Sequence, residues 1–474
     1  MFPLPVALGA AILLSTTNAL ELDITQPDSI RDAASNIAYG MMSWYTGNNT
    51  GDVPGNLPDP YYWWHAGAMF MSMVDYWYYT GDNSYVDVTK QAMIHQAGDT
   101  WDFMPENQTK TEGNDDQLFW ALSAMSAAEV RFPNPDSNQA SWVAQVQNVF
   151  DLQTSRWDDT CGGGLRWQIF TWNKGYNYKN TISNGGLFQI SARLARYTGD
   201  AQYVEWAAKV WDWSTGVLFQ NETDTTIVLN DGATTESGCT RSDPTQWTYI
   251  YGVFIAGTAY MYNHTRDQIW LTRTTKLLNT VEATFFINAA NGVTGKVMSE
   301  TACEPSGNCD IDQQSFKAYL TRWMVLTAQM VPSLEARIWG LLRPSAQGAA
   351  LQCSGGGEGP RNAPDACGRR WDQATYDGTS GLCEQMAALQ AVSAMMLGGA
   401  DGGLDGVNLL PPASVAAGGG GTSKPKEDGG GGKTSGKTLP LVYTEDITAG
   451  DKAGAAILTI LLVSGTLSVG WWML

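Results

Sequence analysis

The chain has 474 residues and a formal net charge of −19 at pH 7. Its length leaves room for one large domain with accessory segments or for two domains. The excess of negative charge would repel a phosphate backbone, so we expect no nucleic-acid partner. Trp and Tyr are abundant, with 20 and 19 residues. Their rings suit core packing, and because they keep a polar handle they also suit contacts with sugars.

Residues 1–19 have the pattern of a secretory signal peptide. An apolar run extends from Leu4 to Leu14, and small residues lie near Ala19. The usual basic start is missing beyond the terminal amine. Four N-glycosylation sequons support export from the cell. The candidate acceptor residues are Asn48, Asn107, Asn221 and Asn263.

Residues 27–400 show helical spacing of apolar residues and almost no strand alternation. The segment Tyr79–Tyr85 recurs in similar form at Tyr197–Tyr203, which indicates a repeated helical hairpin. Amphipathic helices are predicted to start near Pro27, Tyr85, Ser141, Tyr203, Gln268 and Ser333. Helices almost without charge are predicted to start near Tyr62, Asp115, Ser183, Trp247, Gln313 and Gly381. Outer helices are amphipathic and inner helices are apolar all round. The pattern therefore predicts an all-α (α/α)6 toroid within residues 20–400.

Parallel inner helices would place their six N-termini on one rim of the toroid. Aromatic, amide and carboxylate side chains gather there without a basic cluster, which suits a carbohydrate cleft better than a phosphate site. The candidate substrate-binding residues are Trp63, Trp64, His65, Gln117, Asn184, Gln246, Trp247, Tyr249 and Glu384. A single Trp at such a position is more often part of the core than a ligand contact.

The decapeptide 111–120 carries the adjacent carboxyl groups of Asp115 and Asp116 just before a strongly helical run. Consecutive side chains inside a helix point about 100° apart, but at a loop–helix junction both can face one cleft. Paired carboxyl groups suit a retaining glycosidase, with Asp115 as nucleophile and Asp116 as acid/base. An ionised Asp115 would raise the pKa of Asp116, and the pair would titrate as a unit. The alternative interpretation of this spacing is an acidic helix cap.

Other chemistries find little support in the sequence. It contains no G-x-S-x-G elbow, no H-E-x-x-H and no paired C-x-x-C. Gly162–Gly164 lack the Lys-Ser/Thr pair of a phosphate loop. We therefore expect no metal and no cofactor, with calcium at an Asp-rich loop as the open alternative. We expect the protein to act as a monomer.

The seven cysteines indicate disulfides formed in an oxidising compartment. Two pairs bracket loops, and a third could form across space, which would leave Cys383 as the odd thiol. The candidate pairs are Cys303 with Cys309, Cys353 with Cys367, and Cys161 with Cys239. Sequence alone does not fix this connectivity.

The C-terminal part of the chain changes composition. Residues 401–448 form a Gly/Ser-rich tract that is predicted to be a flexible linker. Residues 449–474 combine small residues with an apolar tail, as in a glycosylphosphatidylinositol (GPI) attachment signal. The competing interpretation is a tail anchor, because about twenty apolar residues can span a bilayer. The secretory start and the missing basic flank favour GPI attachment.

Five segments resemble glycoside hydrolase family 76, in particular the fungal GPI-anchored mannan endo-1,6-α-mannosidases. They are TEGNDDQLFWALSAMSAAE, RWDDTCGGGLRWQI, YNYKNTISNGGLFQISARLARYTGD, QWTYIYGVFIAG and YDGTSGLCEQMAAL, in this order within residues 25–400. The resemblance implies the (α/α)6 fold, retaining chemistry on α-1,6-mannosyl bonds, and Asp115 and Asp116 as the catalytic centre. The family usually has Glu where this chain has His65.

The resemblance also implies a location and a transfer reaction. The protein would be secreted and held by a GPI anchor at the outer face of the plasma membrane, in the cell wall. It would cut the mannose core of GPI glycans and move the attached glycoprotein onto wall glucan. Alternatives are a purely hydrolytic endo-α-1,6-mannanase, an inverting glycosidase on another polysaccharide, and a non-catalytic surface protein that binds glycans.

Overall fold

The structure is a computed structural model that describes residues 19–108, 112–290, 292–356 and 365–398. The chain divides into two units, Met1–Lys433 and Thr434–Leu474, and the described residues all belong to the first. Nearly all of the predicted signal peptide, the linker and the GPI signal lie outside these ranges. Within them, no helix is both long and apolar enough to cross a membrane.

Twelve helices in the described ranges alternate along the chain between an inner and an outer set. The inner set is α2 (Trp63–Thr80), α4 (Asn114–Glu129), α6 (Thr181–Thr198), α8 (Thr248–Thr265), α10 (Phe316–Met330) and α12 (Leu382–Ser393). The outer set is α1 (Pro27–Met42), α3 (Val86–Gln96), α5 (Trp142–Ser155), α7 (Ala201–Val217), α9 (Gln268–Phe285) and α11 (Pro332–Gln352). A short α13 (Met395–Gly398) follows. Each of the twelve inner and outer helices begins within three residues of its predicted start.

The inner helices form a closed ring. Each packs against the next in chain order, and α12 packs back against α2. Each outer helix packs against an inner neighbour, as α7 does on α6 and α9 on α8. The predicted (α/α)6 toroid is confirmed.

Burial explains which helices lie inside. Every residue of α6 is buried, whereas α7 buries only a stripe at helical spacing. That stripe consists of Tyr203, Ala207, Val210, Trp211 and Ser214. Glycines allow the inner helices to approach closely, since a Cβ added at Gly185 would lie 2.4 Å from Val253 and one at Gly257 would lie 2.4 Å from Phe188.

The repeated Tyr-Thr-Gly-Asp segment is a helix stop. Gly81 ends α2 and Gly199 ends α6, and both adopt the left-handed conformation, with φ of 76° and 74°. Glycine adopts this conformation without the steric penalty of a Cβ, so it is the usual residue at this place. Both copies of the segment therefore form the same turn from an inner to an outer helix.

Short antiparallel strands that we did not predict occupy the connections between helices. One sheet has the order β1 (Tyr178–Asn180), β4 (Gly232–Thr234), β5 (Ser242–Asp243). The pairs are β2 (Phe219–Glu222) with β3 (Ile227–Leu229), β6 (Phe286–Asn288) with β7 (Lys296–Met298), and β8 (Cys353–Gly355) with β9 (Ala366–Cys367). Strands of two to four residues are too short to show the alternation that predicts a strand.

Three disulfides tie the connections together. They join Cys161 to Cys239, Cys303 to Cys309, and Cys353 to Cys367, which are the pairs that we considered from the sequence. Cys383 is buried as a free thiol on α12.

A buried polar network crosses the middle of the ring. The Arg193 guanidinium on α6 donates to both carboxylate oxygens of Glu129 on α4, at 3.2 and 2.7 Å. Tyr260 on α8 donates to the same carboxylate at 2.9 Å. Arg193 also donates to the Ser126 hydroxyl at 3.0 Å. These hydrogen bonds compensate charges that would otherwise be costly to bury.

A second arginine extends this network to α2 and α10. Arg322 on α10 donates to the same Ser126 hydroxyl at 3.0 Å and to the Met71 carbonyl at 2.6 Å. It also pairs with the Asp75 carboxylate on α2. Gln390 on α12 lies within reach of Asp75. Five of the six inner helices therefore contribute a side chain to one connected cluster, and Gln390 of α12 lies beside it.

Replacing Arg193 by Met should lower the thermal unfolding midpoint strongly. The change leaves the Glu129 carboxylate buried without its cation, which typically costs about 3–5 kcal/mol. Thermal unfolding followed by circular dichroism measures the effect.

The matched control is Lys90→Ala. The Lys90 ammonium lies 3.2 Å from Asp136, whose side chain is 76% exposed, and such surface pairs contribute about 0–1 kcal/mol. Equal shifts in the two variants would contradict a stabilising role for the central network.

Candidate active site

A cavity of about 160 Å³ opens at the N-terminal ends of the inner helices. Ten of its twelve lining residues lie in the first two turns of five inner helices or just before them, and Trp167 and Asp231 come from loops. The lining residues are Trp64, Asp115, Asp116, Phe119, Trp167, Tyr178, Asn180, Ile182, Asp231, Tyr249, Asp312 and Phe316. None of these is Lys, Arg or His. This places the cleft on the rim where the sequence predicted it.

The start of α4 is fixed to the loop that precedes α6. The Asn114 backbone N–H donates to the Trp167 carbonyl at 2.8 Å, and the Asn114 side chain donates to the Arg166 carbonyl at 2.9 Å. Gly113 leaves no room for a side chain, because an added Cβ would lie 2.5 Å from a carboxylate oxygen of Asp115. The acidic pair therefore sits on backbone that is held on two sides.

Both carboxyl groups accept hydrogen bonds at this helix start. Asp116 Oδ2 accepts the Gly113 backbone N–H at 2.7 Å. Asp115 Oδ1 accepts the Asp116 backbone N–H at 3.1 Å, and Asp115 Oδ2 accepts the Asn180 side-chain amide at 2.9 Å. The N-terminus of a helix favours negative charge, so an anion is stabilised here despite its burial.

Burial raises the pKa of both carboxyl groups, and for Asp115 the neighbouring charge of Asp116 raises the pKa further. The Asn180 amide and the backbone N–H groups act in the opposite direction, because they favour the ionised form. Two such groups ionise as a coupled unit. The two carboxyl groups therefore do not lose their protons independently.

A third acid in the cleft is Asp231, at the turn between β3 and β4. Tyr178 donates its hydroxyl to Asp231 Oδ2 at 2.7 Å. Burial raises the pKa of Asp231 to about 6, and the nearby charge of Asp243 adds to the shift. Asp231 and Tyr178 together present a polar wall.

Asp312, the fourth acid, lies beside His65. Burial raises the pKa of Asp312 to about 7, helped by the charges of Asp310 and Asp116. His65 Nδ1 accepts the Tyr62 backbone N–H at 3.0 Å, and burial lowers the pKa of His65 to about 3. A neutral His65 with an occupied Nδ1 carries its proton on Nε2, which lies 3.3 Å from Asp312 Oδ1. His65 therefore lies beside Asp312 as a neutral imidazole rather than as a cation.

Aromatic rings form the other walls of the cavity. Trp64 packs against Phe119 with 4.6 Å between ring centroids, and Tyr249 stacks on Phe316 at 3.8 Å with an interplanar angle of 7°. Aromatic side chains provide flat apolar surface next to the polar groups. The cleft therefore combines hydrogen-bonding carboxyls with ring faces.

Lys179 anchors the strand that carries two lining residues. In β1, Tyr178 and Asn180 face the cleft, and Lys179 points the opposite way, as alternation in a strand requires. Its buried ammonium lies within hydrogen-bond distance of the carbonyls of Asp158, Thr160, Gly163 and Gly164 and pairs with the Asp158 carboxylate at 2.8 Å. The lysine thus fixes the loop behind the cleft.

Of the eleven site residues predicted from the sequence, four line the cavity: Trp64, Asp115, Asp116 and Tyr249. The others lie around it. His65, Gln117, Asn184 and Glu384 are buried. Trp63, Gln246 and Trp247 are half-buried.

Several of these surrounding residues have a visible positioning role. Gln117 donates to the Asp102 carbonyl at 2.8 Å. Asn184 donates to the Leu165 carbonyl and accepts the Leu165 backbone N–H. Trp63 donates to Gln96 at 2.7 Å, and Trp247 packs edge-on against Phe316. These contacts hold the segments that form the rim.

The sequence reasoning missed eight of the twelve lining residues. Most lie in the first two turns of an inner helix or just before it, and Trp167 and Asp231 lie in loops. The eight are Phe119, Trp167, Tyr178, Asn180, Ile182, Asp231, Asp312 and Phe316. Asp312 lies one residue before the predicted helix start at Gln313, so a wider window around each start would have found it. Nothing in the sequence around Asp231 indicates that its turn folds over the rim.

The glycosylation candidates differ in exposure. Asn48, Asn107 and Asn221 are exposed. Asn263 is half-buried, and its side-chain amide donates to the Met330 carbonyl at 3.0 Å and accepts from Arg196 at 2.8 Å. Among the described residues, no group of three or more His, Cys, Asp or Glu side chains is placed to hold a metal ion.

Comparison with known proteins identifies the family. The sequence profile of glycosyl hydrolase family 76 matches residues 29–405. The chain belongs to glycosyl hydrolase family 76. It is 44% identical over 468 residues to the mannan endo-1,6-alpha-mannosidase DCW1 of Saccharomyces cerevisiae, covering 98% of each chain. It is 40% identical to the mannan endo-1,6-alpha-mannosidase DFG5 of Candida albicans, covering 98% of this chain and 97% of that one.

Solved family 76 structures share the fold. The crystal structure of Dfg5 from Chaetomium thermophilum in complex with glucosamine superposes with a TM-score of 0.73 at 41% sequence identity. The match covers 79% of this chain and 92% of that chain. The alpha-1,6-mannanase GH76A of a Salegentibacter species superposes with a TM-score of 0.59 at 19% identity, covering 78% and 99% of the two chains. At 19% identity, the second match is evidence for a shared fold alone.

Asp312→Asn should weaken the pH dependence of stability. The folded-state pKa of Asp312 is about 7, above the ordinary value of 3.8. Its ionisation therefore destabilises the folded protein as pH rises from about 4 to about 7. Between about pH 5 and about pH 8, the thermal midpoint should fall less in the variant than in the unchanged protein. The exposed control Asp52→Asn should keep the original dependence, and an unchanged slope in Asp312→Asn would contradict this assignment.

Proposed function

We propose that this protein is a retaining glycosidase and transglycosidase that acts on α-1,6-mannosyl linkages. The observation that carries the proposal is the acidic pair at the start of α4. It faces a cavity with aromatic and carboxyl walls and without a basic side chain among the lining residues. A chain of mannose residues has no net charge, so such a cleft can hold it through hydroxyl hydrogen bonds and ring contacts. The names of its relatives, which are mannan endo-1,6-alpha-mannosidases, supply the linkage.

Asp115 is the proposed nucleophile. Its two oxygens accept hydrogen bonds from the Asn180 amide and the Asp116 backbone N–H, and these bonds favour the anion. In the first step, Asp115 attacks the anomeric carbon while Asp116 donates its proton to the leaving oxygen. The glycosidic bond breaks and a covalent glycosyl–enzyme ester forms.

Asp116 then acts as the base of the second step. Having lost its proton, its carboxylate takes a proton from water or from a sugar hydroxyl. The activated oxygen attacks the anomeric carbon and releases Asp115. Water as acceptor gives hydrolysis, and a glucan hydroxyl gives transfer of the attached glycan. A purely hydrolytic endo-α-1,6-mannanase differs only at this step.

The remaining substrate contacts are assigned by position. Trp64 and Tyr249 offer ring faces in the cavity, and Asp231 with Tyr178 offers hydroxyl partners. His65, Trp63, Gln117, Asn184, Gln246, Trp247 and Glu384 are proposed to support the rim around the glycan. Neutral His65 lies beside Asp312, with 3.3 Å between Nε2 and Oδ1.

The proposed setting is the outer face of the plasma membrane and the cell wall. The supporting features are the N-terminal apolar segment, the sequons and the apolar C-terminal segment. Residues 1–19 would be removed on export, and residues 449–474 would be exchanged for a GPI anchor after the linker 401–448. The substrate there would be the mannose core of GPI glycans, with wall glucan as acceptor.

Asp115→Asn and Asp116→Asn should each reduce cleavage of an α-1,6-mannose oligomer by about a thousandfold or more, since each removes a group that acts in the transition state. The thermal midpoint should stay nearly unchanged, because Asn keeps the shape of the side chain. Product analysis by mass spectrometry measures the loss. The control Asp310→Asn, an exposed acid near the rim, should keep activity.

A large drop in thermal midpoint with activity retained would contradict the catalytic assignment. Binding of the oligomer by the unchanged protein without any cleavage would favour a non-catalytic glycan-binding protein instead.

Addition of a glucan acceptor should shift the products from free oligomers to glucan conjugates, because the acceptor hydroxyl competes with water for the glycosyl–enzyme ester. Mass spectrometry of reactions with and without the acceptor detects the conjugate. Free oligomers alone in both reactions would support the hydrolytic alternative.

A further inference from the structure

The loop between Gln168 and Tyr178 carries an unusually exposed tryptophan. Trp172 is 69% exposed, whereas tryptophan is highly buried on average. Its ring stacks on Phe170, with 5.0 Å between centroids and an interplanar angle of 20°. Phe170 therefore supports one face of the indole and leaves the other face open to solvent.

The loop begins and ends at the cleft. Trp167, just before it, and Tyr178, at its end, both line the cavity. The Trp167 backbone N–H donates to the Tyr178 carbonyl at 2.7 Å, which closes the base of the loop. Gln168 also forms a β-bridge with Gly113, next to the acidic pair. Trp172 thus lies in a loop whose base is part of the active-site wall.

Internal contacts hold the loop in this conformation. The Asn173 side chain donates to Gln168 at 3.1 Å, and the Asn173 backbone N–H donates to the Phe170 carbonyl at 3.1 Å. Gly175 folds directly onto Trp167, where an added Cβ would lie 2.3 Å from the ring. The exposed indole is therefore positioned in advance, which lowers the entropic cost of binding.

We propose that Trp172 is a distal glycan-binding subsite that stacks on a sugar ring of the substrate beyond the cavity. A cavity of about 160 Å³ cannot enclose a long oligosaccharide, so the rest of the chain must leave it along the rim. An open indole face gives the apolar face of a pyranose ring a surface to stack on. The occupant is the mannose chain that continues from the cleft, and this inference rests on the proposed function.

The test measures kcat/KM of the purified protein for a short and for a long α-1,6-mannose oligomer. Trp172→Ala should lower kcat/KM for the long oligomer by about tenfold, the upper range for one aromatic contact. It should leave the short oligomer unaffected. Trp172→Tyr should restore most of the loss, because it keeps an aromatic face. The control Ile269→Ala removes an exposed apolar side chain at the start of outer helix α9 and should change neither value.

Equal losses on both oligomers, or no loss on either, would overturn the subsite. Calorimetric binding of both oligomers to Asp115→Asn, with and without Trp172→Ala, separates this result from a failure of the proposed function. If the unchanged protein cleaves neither oligomer, the proposed function fails, and selective weakening of long-oligomer binding by Trp172→Ala still supports the subsite. If Trp172→Ala weakens binding of neither oligomer, the subsite is overturned.

Discussion

The structure depends on a cluster of compensated charges at the centre of a ring of helices. Arg193 and Arg322 share the hydroxyl of Ser126 as acceptor and pair with Glu129 and Asp75. Such ions would be prohibitively costly to bury alone. Because their partners come from different inner helices, the cluster is satisfied only when the helices are in register. The ring can therefore close in only one arrangement of the inner helices. This arrangement also fixes the positions of the rim residues at their N-terminal ends.

The active-site rim differs from the centre in its electrostatics. Four acids line the same cavity: Asp115, Asp116, Asp231 and Asp312. Burial raises the pKa of each of them. No basic side chain lines this cavity. Helix N-termini and amide donors such as Asn180 offset part of this cost. The centre of the ring thus holds charge pairs, whereas the rim holds acids without a basic side chain among the lining residues. Perturbed pKa values of this kind often occur at functional sites.

The sequence was informative about the fold because the helices follow simple rules. Charge-poor and amphipathic segments alternate, and a Tyr-Thr-Gly-Asp stop occurs at Gly81 and Gly199. Together they predicted the closed ring and the rim with the cleft. The acidic pair was visible for the same reason, as it begins an inner helix. Asp231 was not, because its position depends on a hairpin of short strands. Long-range contacts of this kind, such as Tyr178 with Asp231, leave no periodic signal in the sequence.

Gly113 precedes α4 next to the acidic pair, and the structure leaves no room there for a side chain. The floor of the cleft tolerates little variation, since even a methyl group at this position would collide with Asp115. The walls are assembled from separate chain segments that each supply one or a few side chains. Substitutions in the walls can therefore change the shape of the cleft while the backbone that carries Asp115 and Asp116 stays in place.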